Sequence, residues 1–191
     1  MTMIELNPED HTYHIDGIPW GYPGVTTILA DMGFYGDAAK YYTEWGRDRG
    51  RFIHHIILYH VEGVLDENTI DPVLRPYFDA WLAFEKDTGF VSEHCEKSLV
   101  STLYHFGGTP DHIGRLNSHE TLIDTKSGLV NPAAKIQTAA YEILYGKRVK
   151  RFGLQLKDDG KYSLKEFKDR QDRGIFLAAL AVWQWQKNNL K

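Results

Sequence analysis

Cysteine is almost absent from this sequence, since Cys95 is the only one among 191 residues. A single cysteine cannot close a disulfide within the chain, and it cannot provide the four thiolates of an iron–sulfur cluster or a tetracysteine zinc site. The composition therefore argues against a disulfide-stapled domain, and we expect no iron–sulfur cluster.

Long hydrophobic runs are also lacking. The longest run, GIFLAALAVW at 174–183, is well short of the roughly 20 residues that a membrane-spanning helix requires. The opening segment, MTMIELNPEDHTYHIDG, is polar and mildly acidic, unlike a signal peptide with its apolar middle region. These observations lead us to expect a soluble, cytoplasmic protein with no membrane partner.

The sequence also lacks an excess of positive charge. The chain has 22 lysines and arginines against 26 aspartates and glutamates, which gives a net charge of −4. Such a chain is poorly suited to coating nucleic acid through bulk electrostatics. The charge does not exclude an enzyme whose acidic site is neutralised by a metal ion, with local basic patches that hold phosphates.

The residues that are present suffice for a globular core, because 42% are hydrophobic and 13% are aromatic. A chain of this length suits one domain, for which we expect a helical N-terminal part over about 1–90 and a sheet-containing core over about 91–191. Asp16-Gly17 predicts a hairpin turn near the start.

Hydrophobic periodicity predicts most of the remaining elements. We expect helices over about 37–61, 72–86 and 131–146, and strands over about 95–105, 106–115, 120–126 and 149–156. We interpret Ser163–Glu166 as a capping box that opens a last helix reaching about residue 187. This order of elements predicts an α/β fold with one central mixed sheet flanked by helices.

Two of the predicted strands end in charged residues where a sheet normally buries apolar ones. Asp111 follows the turn Gly-Gly-Thr-Pro, and Asp124 and Lys126 lie in the run Ile-Asp-Thr-Lys. In a strand, Asp124 and Lys126 point to the same face, and the backbone carbonyl of Thr125 lies beside them. If Asp111 ends the neighbouring strand, these oxygens converge on one spot and suit Mg²⁺ or Mn²⁺, while the lysine ammonium can act on a water molecule or a phosphate.

The triplet acid-x-Lys is weak evidence by itself, because the chain contains it three times. Asp159-Gly-Lys161 lies in a predicted turn and Glu166-Phe-Lys168 in a predicted helix, so both indicate solvated charge. Taken alone, Asp111 is better explained as a turn residue that satisfies backbone amides, and Lys126 as a strand-end lysine that reaches solvent. Their joint placement favours a functional site.

These residues resemble the PD-(D/E)xK nuclease superfamily, and within it the RecB/Cas4-like branch that includes phage exonucleases. The metal motif stands as Pro110-Asp111 and Asp124-Thr-Lys126. The branch's additional motifs are matched by Gly50-Arg-Phe-Ile-His54 upstream, by Glu96 before the glycine turn, and by Gln137-Thr-Ala-Ala-Tyr141 after the lysine. The resemblance covers about residues 24–145, with five elements in the expected order. It implies a restriction-endonuclease-like fold.

The resemblance also implies roles for these residues. Asp111, Asp124 and the Thr125 carbonyl would bind the metal ion, and Lys126 would handle the attacking water. His54 would be a further ligand and would favour Mn²⁺, although His55, one step along the helix, is an alternative ligand. Glu96 would bind a second metal ion or position a ligand. Gln137 and Tyr141, which share a helix face, would orient the lysine or hold the scissile phosphate.

Basic residues outside the motifs are candidate contacts to the DNA backbone. In a nuclease, the clusters around Arg47, Arg49 and Arg51 and around Lys147 and Arg148 would serve this purpose. For an isolated charge run, the more common explanation is a solvated surface.

The resemblance implies a deoxyribonuclease that needs Mg²⁺ or Mn²⁺ and acts on DNA. We expect an exonuclease of recombination, repair or phage DNA processing, in a bacterial cell or a phage-infected host, with a recombination or replication protein as a further partner. A structure-selective or restriction-type endonuclease, or a catalytically silent DNA-binding module, are alternatives. The sequence leaves open the polarity of digestion, the preference for single or double strands, the number of metal ions and the oligomeric state.

Overall fold

The structure, a computed structural model, describes residues 3–7, 13–36 and 43–190. Five α-helices are present in this part of the chain: α1 (Val25–Asp31), α2 (Glu44–Val61), α3 (Arg75–Thr88), α4 (Ala133–Tyr145) and α5 (Gln171–Asn189). The strands are β1 (Ile4–Leu6), β2 (Tyr13–Ile15), β3 (Ile18–Pro19), β4 (Val91–Cys95), β5 (Leu99–Ser101), β6 (Phe106–Gly108), β7 (His112–Leu116), β8 (His119–Lys126), β9 (Lys150–Leu156) and β10 (Tyr162–Glu166). The predicted helix over 37–61 begins at Glu44 in the described part, and positions 37–42 lie outside the described residues.

A five-stranded sheet forms the centre of the fold, in the order β10-β9-β8-β7-β4. Strand β8 pairs with β9 in parallel and with β7 in antiparallel orientation, so the sheet is mixed. The connection from β8 to β9 passes through α4, as a parallel pair requires. The predicted α/β architecture, with a central mixed sheet flanked by helices, is therefore confirmed.

Successive side chains along the strands point to opposite faces of the sheet, and a hydrophobic core lies on each face. Helices α2 and α3 cover one face, where Ile123 and the alternating Phe152, Leu154 and Leu156 are buried. Helices α1, α4 and α5 cover the other face, where Leu122 is buried. Asp124 and Lys126 lie on the same face of β8 as Leu122, so their side chains point to the side of the sheet that α4 covers.

Two smaller sheets lie beside the centre, formed by β1-β2-β3 and by β5-β6. The Asp16-Gly17 turn joins β2 to β3 as predicted, with both residues at positive φ. The predicted strand over 95–105 is wrong as one element, because the backbone leaves β4 at Glu96, whose φ is +50°. The predicted strand over 106–115 is likewise divided into β6 and β7, and the break contains Asp111.

The capping-box interpretation of Ser163–Glu166 is wrong. These residues belong to β10, in which Ser163 pairs with Gln155 and Glu166 with Phe152 of β9. Helix α5 begins later, at Gln171, where the Asp169 side chain accepts a hydrogen bond from the Gln171 N–H at 2.9 Å. None of the helices within the described ranges combines the length and apolar character needed to cross a membrane.

Candidate active site

Asp111 and Asp124 are brought together by the pairing of two neighbouring strands. In the antiparallel pair of β7 and β8, His112 is opposite Ile123, so Asp111, which precedes β7, lies near the residues that follow Ile123. Its Oδ2 atom accepts a hydrogen bond from the Thr125 N–H at 2.6 Å. Sheet pairing thus brings the two predicted carboxylates to the same end of the sheet.

Helix α2 brings a histidine to this point from the opposite side. The His54 Nδ1 atom is 3.0 Å from Glu96 Oε1 and 3.6 Å from Asp111 Oδ1. Its Nε2 atom is 3.1 Å from the Thr125 carbonyl oxygen. His55 instead is exposed and stacks on Tyr59, with the ring centroids 6.3 Å apart. Of the two histidines, His54 faces the carboxylates.

The backbone of Glu96 has a positive φ of +50°, which helps to shape the site. Its N–H donates to the carbonyl oxygen of Asp111 at 2.9 Å, which ties the end of β4 to the break before β7. A positive φ is uncommon for a residue with a Cβ atom. It turns the chain so that the Glu96 carboxylate meets His54.

Asp124 and Lys126 form an ion pair beside this cluster, in which the carboxylate is buried and the lysine side chain is partly exposed. The Lys126 Nζ atom is 2.8 Å from Asp124 Oδ1, and the Asp124 side chain is 0% exposed. The second carboxylate oxygen, Oδ2, is buried and has no hydrogen-bond partner. An unpartnered oxygen on a buried carboxylate is costly unless a further cation or donor satisfies it.

The residues present fit a divalent cation. One ligand atom each from His54, Glu96 and Asp111 lie within 4.8 Å of one another. The Thr125 carbonyl, 3.1 Å from His54 Nε2, and the unpartnered Asp124 oxygen add two hard oxygen donors at the same end of the sheet. A set of carboxylate and carbonyl oxygens with one imidazole suits Mg²⁺ or Mn²⁺, and the imidazole favours Mn²⁺.

The pKa values at the site reflect burial together with the close approach of several charged groups. Burial alone would lower the pKa of His54, but the charges of Asp111 and Glu96 raise it to about 9. Both ring nitrogens face acceptors, which fits a doubly protonated imidazolium. Burial raises the pKa of Asp124 to about 6 against the opposing effect of Lys126, and burial also raises the pKa of Asp111. Burial tends to lower the pKa of Lys126, but Asp124 and Asp111 raise it above its ordinary value.

Helix α4 packs against the site and carries Gln137 and Tyr141, two of the predicted site residues. The Gln137 Nε2 atom donates to the Tyr141 hydroxyl at 3.0 Å, and both side chains are buried. The approach of the ring requires a glycine on β6, because a Cβ atom on Gly108 would lie 2.7 Å from Tyr141 Cε1. Burial raises the pKa of Tyr141 well above its ordinary value, and the charges of Asp111 and Asp124 raise it further, which keeps the hydroxyl protonated.

The sequence did not identify Tyr13 as a neighbour of the site. Its hydroxyl is 3.2 Å from Thr109 Oγ1, which is also 3.2 Å from Ser98 Oγ. Its ring packs on Gly107, where a Cβ atom would lie 2.8 Å from the ring. The adjacent glycines 107 and 108 were the available signal, because glycine inside a strand indicates that another group approaches the backbone closely.

The basic residues fall into two groups. Arg47 is exposed beside the site, Arg49 donates to Ser127 Oγ at 3.3 Å, and Arg51 is paired with Asp48 at 2.7 Å. Lys147 and Arg148 lie at the other end of the sheet. They are paired with Glu120 at 3.0 Å and Glu142 at 3.1 Å. The structure therefore brings the arginines of α2 to the site and leaves Lys147 and Arg148 away from it.

No family model and no curated protein matches this sequence. Among solved structures, a candidate exonuclease from Eubacterium rectale is similar with a TM-score of 0.60 and 11% identity, over 87% of this chain and 80% of that chain. An alkaline exonuclease from Laribacter hongkongensis is matched with a TM-score of 0.38 and 16% identity, over 86% of this chain and 97% of that chain. The first likeness shows a shared fold, and the second is too low to carry an argument.

Proposed function

We propose that this protein is a metal-dependent deoxyribonuclease of the RecB/Cas4-like branch, an exonuclease that works as a single domain over residues 1–191. The observation that carries this proposal is the ion pair between the buried Asp124 and the partly exposed Lys126, beside the cluster of His54, Glu96 and Asp111. The shared fold with a protein named as a candidate exonuclease supports it.

In this proposal, His54, Asp111, Asp124 and the Thr125 carbonyl would hold the cation, with Glu96 as a further carboxylate. A bound Mg²⁺ or Mn²⁺ ion would neutralise charge on the phosphate and lower the pKa of a coordinated water. The high pKa of Lys126 keeps its ammonium charged. From its place next to Asp124, the ammonium orients the attacking water and stabilises the negative charge that develops on the phosphate.

Gln137 and Tyr141 hold the α4 wall of the site in one arrangement. Because Tyr141 stays protonated, its hydroxyl can donate a hydrogen bond to a phosphate oxygen while it accepts one from Gln137. Asp111 has a double role. It faces His54 through Oδ1 and fixes the strand end through its bond to the Thr125 N–H.

The test is cleavage of end-labelled linear DNA and closed circular DNA in the presence of Mn²⁺, Mg²⁺ or EDTA. We expect metal-dependent loss of the linear substrate with the circle spared, and no cleavage by Asp124→Ala protein. Asp159→Ala is the matched control, because Asp159 begins an acid-x-Lys triplet in an exposed turn. Nicking of the circle would instead identify an endonuclease. A folded wild-type protein that binds Mn²⁺ and cleaves neither substrate would overturn the proposal.

A further inference from the structure

Helix α5 is apolar on its outer face as well as on the face that packs against the protein. Its inner face lies on α4 and α1, where Phe176 and Leu180 are buried. No charged residue occurs between Arg173 and Lys187 in the sequence, although 25% of the chain is charged. The outer face of a surface helix normally carries charged and polar side chains. Packing within the described chain therefore gives no reason for the apolar outer face of α5.

The outer face presents a continuous stripe to solvent. Six exposed residues follow one another at steps of three and four, and we call them the α5 seam: Gln171, Ile175, Ala178, Val182, Trp185 and Asn189. The large apolar side chains of Ile175, Val182 and Trp185 are 39%, 46% and 57% exposed. Alternating steps of three and four place all six residues on one side of the helix.

The spacing of the α5 seam is that of a coiled coil. Steps of three and four in alternation repeat every seven residues, which is the a and d pattern along which two helices pack. Helix α5 has 19 residues, so the seam extends over roughly 28 Å. The polar residues Gln171 and Asn189 stand at its two ends, and polar residues at such positions fix the register of the pair.

The seam is complementary to itself when a second α5 lies antiparallel to the first. Positions 175 and 185 are equally distant from 180, and so are positions 178 and 182. A two-fold axis at the level of residue 180 therefore places Ile175 opposite Trp185 of the second copy and Ala178 opposite Val182 of the second copy. Each of these pairs combines a smaller with a larger side chain. Self-complementary contacts of this kind form the two-fold dimers that are commonest among oligomers.

The charges around α5 permit this contact. Two copies that each have a net charge of −4 repel one another, so a surface for self-association should be free of like charges. Arg173 and Lys187 lie outside the seam, and Lys187 is paired with Asp31 at 3.1 Å. The loop between β5 and β6 adds Leu103, which is 77% exposed, beside the helix, because Gln184 Nε2 donates to the Tyr104 carbonyl at 2.9 Å.

Helix α2 has the other exposed set of apolar residues at helical spacing. Trp45, Phe52 and Tyr59 are 49%, 46% and 47% exposed and follow one another at steps of seven. Asp48 and Arg51 stand between them and form an ion pair at 2.7 Å. Packing a second helix on this face would remove that pair from water, which is costly. The charge-free α5 seam is the better surface for self-association.

We propose that two copies of this chain associate through the α5 seam as an antiparallel, two-fold symmetric pair. None of the described residues that line the two cavities at the candidate active site belongs to α5, so the contact occupies neither cavity. This association goes beyond the proposed nuclease function and does not depend on it. Two helices bury less than the roughly 800 Å² per partner of a standard interface, so we expect a dissociation constant on the order of 1–100 µM.

The first arm of the test measures mass by sedimentation at protein concentrations on the order of 1–200 µM. The mass of the wild-type protein should rise from 22.0 kDa towards twice that value. Ala178→Glu should raise the dissociation constant at least about tenfold, because it buries an unpaired carboxylate at the centre of the seam. Phe52→Glu is the matched control, since it removes a larger exposed side chain from α2, and its dissociation constant should stay within about twofold of wild type.

The second arm tests the antiparallel register with a pair of charges. Val182→Lys should also weaken self-association. A mixture of Ala178→Glu and Val182→Lys proteins should form a mixed dimer, because position 178 of one copy lies opposite position 182 of the other. Ile175→Lys replaces Val182→Lys in the control mixture, since position 175 lies close to position 178 of the other copy only in a parallel pair. Circular dichroism establishes that each variant is folded, and all three positions are exposed in the helix.

The outcomes separate this inference from the proposed function. A mass of 22.0 kDa at all concentrations would overturn the inference and leave the seam to a different partner. A dimer that Phe52→Glu weakens and Ala178→Glu does not would also overturn it. A mixed dimer with Ile175→Lys and none with Val182→Lys would overturn the antiparallel arrangement. Dimers of wild-type protein that cleave no DNA would overturn the nuclease alone.

Discussion

At the scale of single residues, Lys126 has the most demanding environment, because its ammonium is held against a fully buried carboxylate. If it orients water and stabilises charge on the phosphate, Lys126→Ala should slow cleavage by roughly 10²–10⁴-fold, as the loss of one such group usually does. Single-turnover cleavage measures this effect. Lys126→Arg, which keeps the charge but changes its shape, should recover only part of the rate. A wild-type rate for the alanine variant would show that the lysine has a structural role alone.

His54 makes the stability of the metal-free protein depend on pH. Its pKa is raised from 6.5 to about 9, so its interactions stabilise the fold fully below pH 6.5 and are lost as the pH rises through 9. The pKa of Asp124 is raised from 3.8 to about 6. Its contribution to the stability of the fold is likewise lost as the pH rises, but through about pH 6. We therefore expect the melting temperature in EDTA to fall between pH 6.5 and 9, by differential scanning fluorimetry.

A bound cation should reverse this trend, because it competes with the proton on His54. The rise in melting temperature on adding Mn²⁺ should be larger at pH 9 than at pH 6.5. His54→Ala should remove both the fall in EDTA and the pH dependence of the Mn²⁺ effect, whereas the exposed neighbour His55→Ala should change neither. An unchanged pH profile in the His54 variant would contradict the assigned pKa.

At the scale of elements, the position of α4 depends on the absence of a side chain on β6. In Gly108→Ala protein the new Cβ atom would lie 2.7 Å from Tyr141 and 2.9 Å from Leu144, so these side chains, α4 or β6 must shift. Such overpacking costs about 1–3 kcal/mol, and it should also slow cleavage because Gln137 and Tyr141 move with the helix. Urea unfolding measures the cost. The matched control is Gly174→Ala in α5, where nothing lies within 4 Å and alanine should stabilise by about 0.5–1 kcal/mol.

Two of the elements that carry the site were well predicted from the sequence, whereas the segments that hold Glu96 and Asp111 were not. Strand β8 and helix α4 have strong periodicity and clear ends, such as Asn131, whose side chain accepts from the Ala133 N–H at 2.8 Å. Ser163–Glu166 was misinterpreted because Ser-x-x-Glu matches a capping box, although Tyr162, Leu164 and Glu166 alternate as in a strand. Pairing with β9 decided between the two, and pairing is not visible in a short window.

Arg151 shows what local patterns could not reveal. It ends the basic run Lys-Arg-Val-Lys-Arg at 147–151, which also contains the candidate DNA contacts Lys147 and Arg148. The structure buries it, and its guanidinium donates to Asp172 at 3.0 Å and to the carbonyl oxygens of Lys135 and Asp169. These partners are 16 to 21 residues away, so only the tertiary fold distinguishes Arg151 from its exposed neighbours.

At the scale of the whole molecule, the distribution of charge decides where DNA can lie. Near the site, Arg47 and Arg49 line a cavity to which the described residues contribute no carboxylate, whereas at the far end of the sheet Lys147 and Arg148 are paired with Glu120 and Glu142. A basic residue that is already paired releases fewer counterions when DNA binds, so it contributes less to the salt dependence of binding. The two groups should therefore respond differently to charge reversal.

Arg47→Glu should weaken binding of a single-stranded oligonucleotide and lower the slope of log K against log salt by about 1 or more, since one phosphate contact is lost and a repulsive charge is added. Arg148→Glu should leave the slope close to that of wild type. Fluorescence anisotropy at several salt concentrations in EDTA measures both. If Arg148→Glu lowers the slope as much as Arg47→Glu does, the DNA must extend along the sheet to its far end.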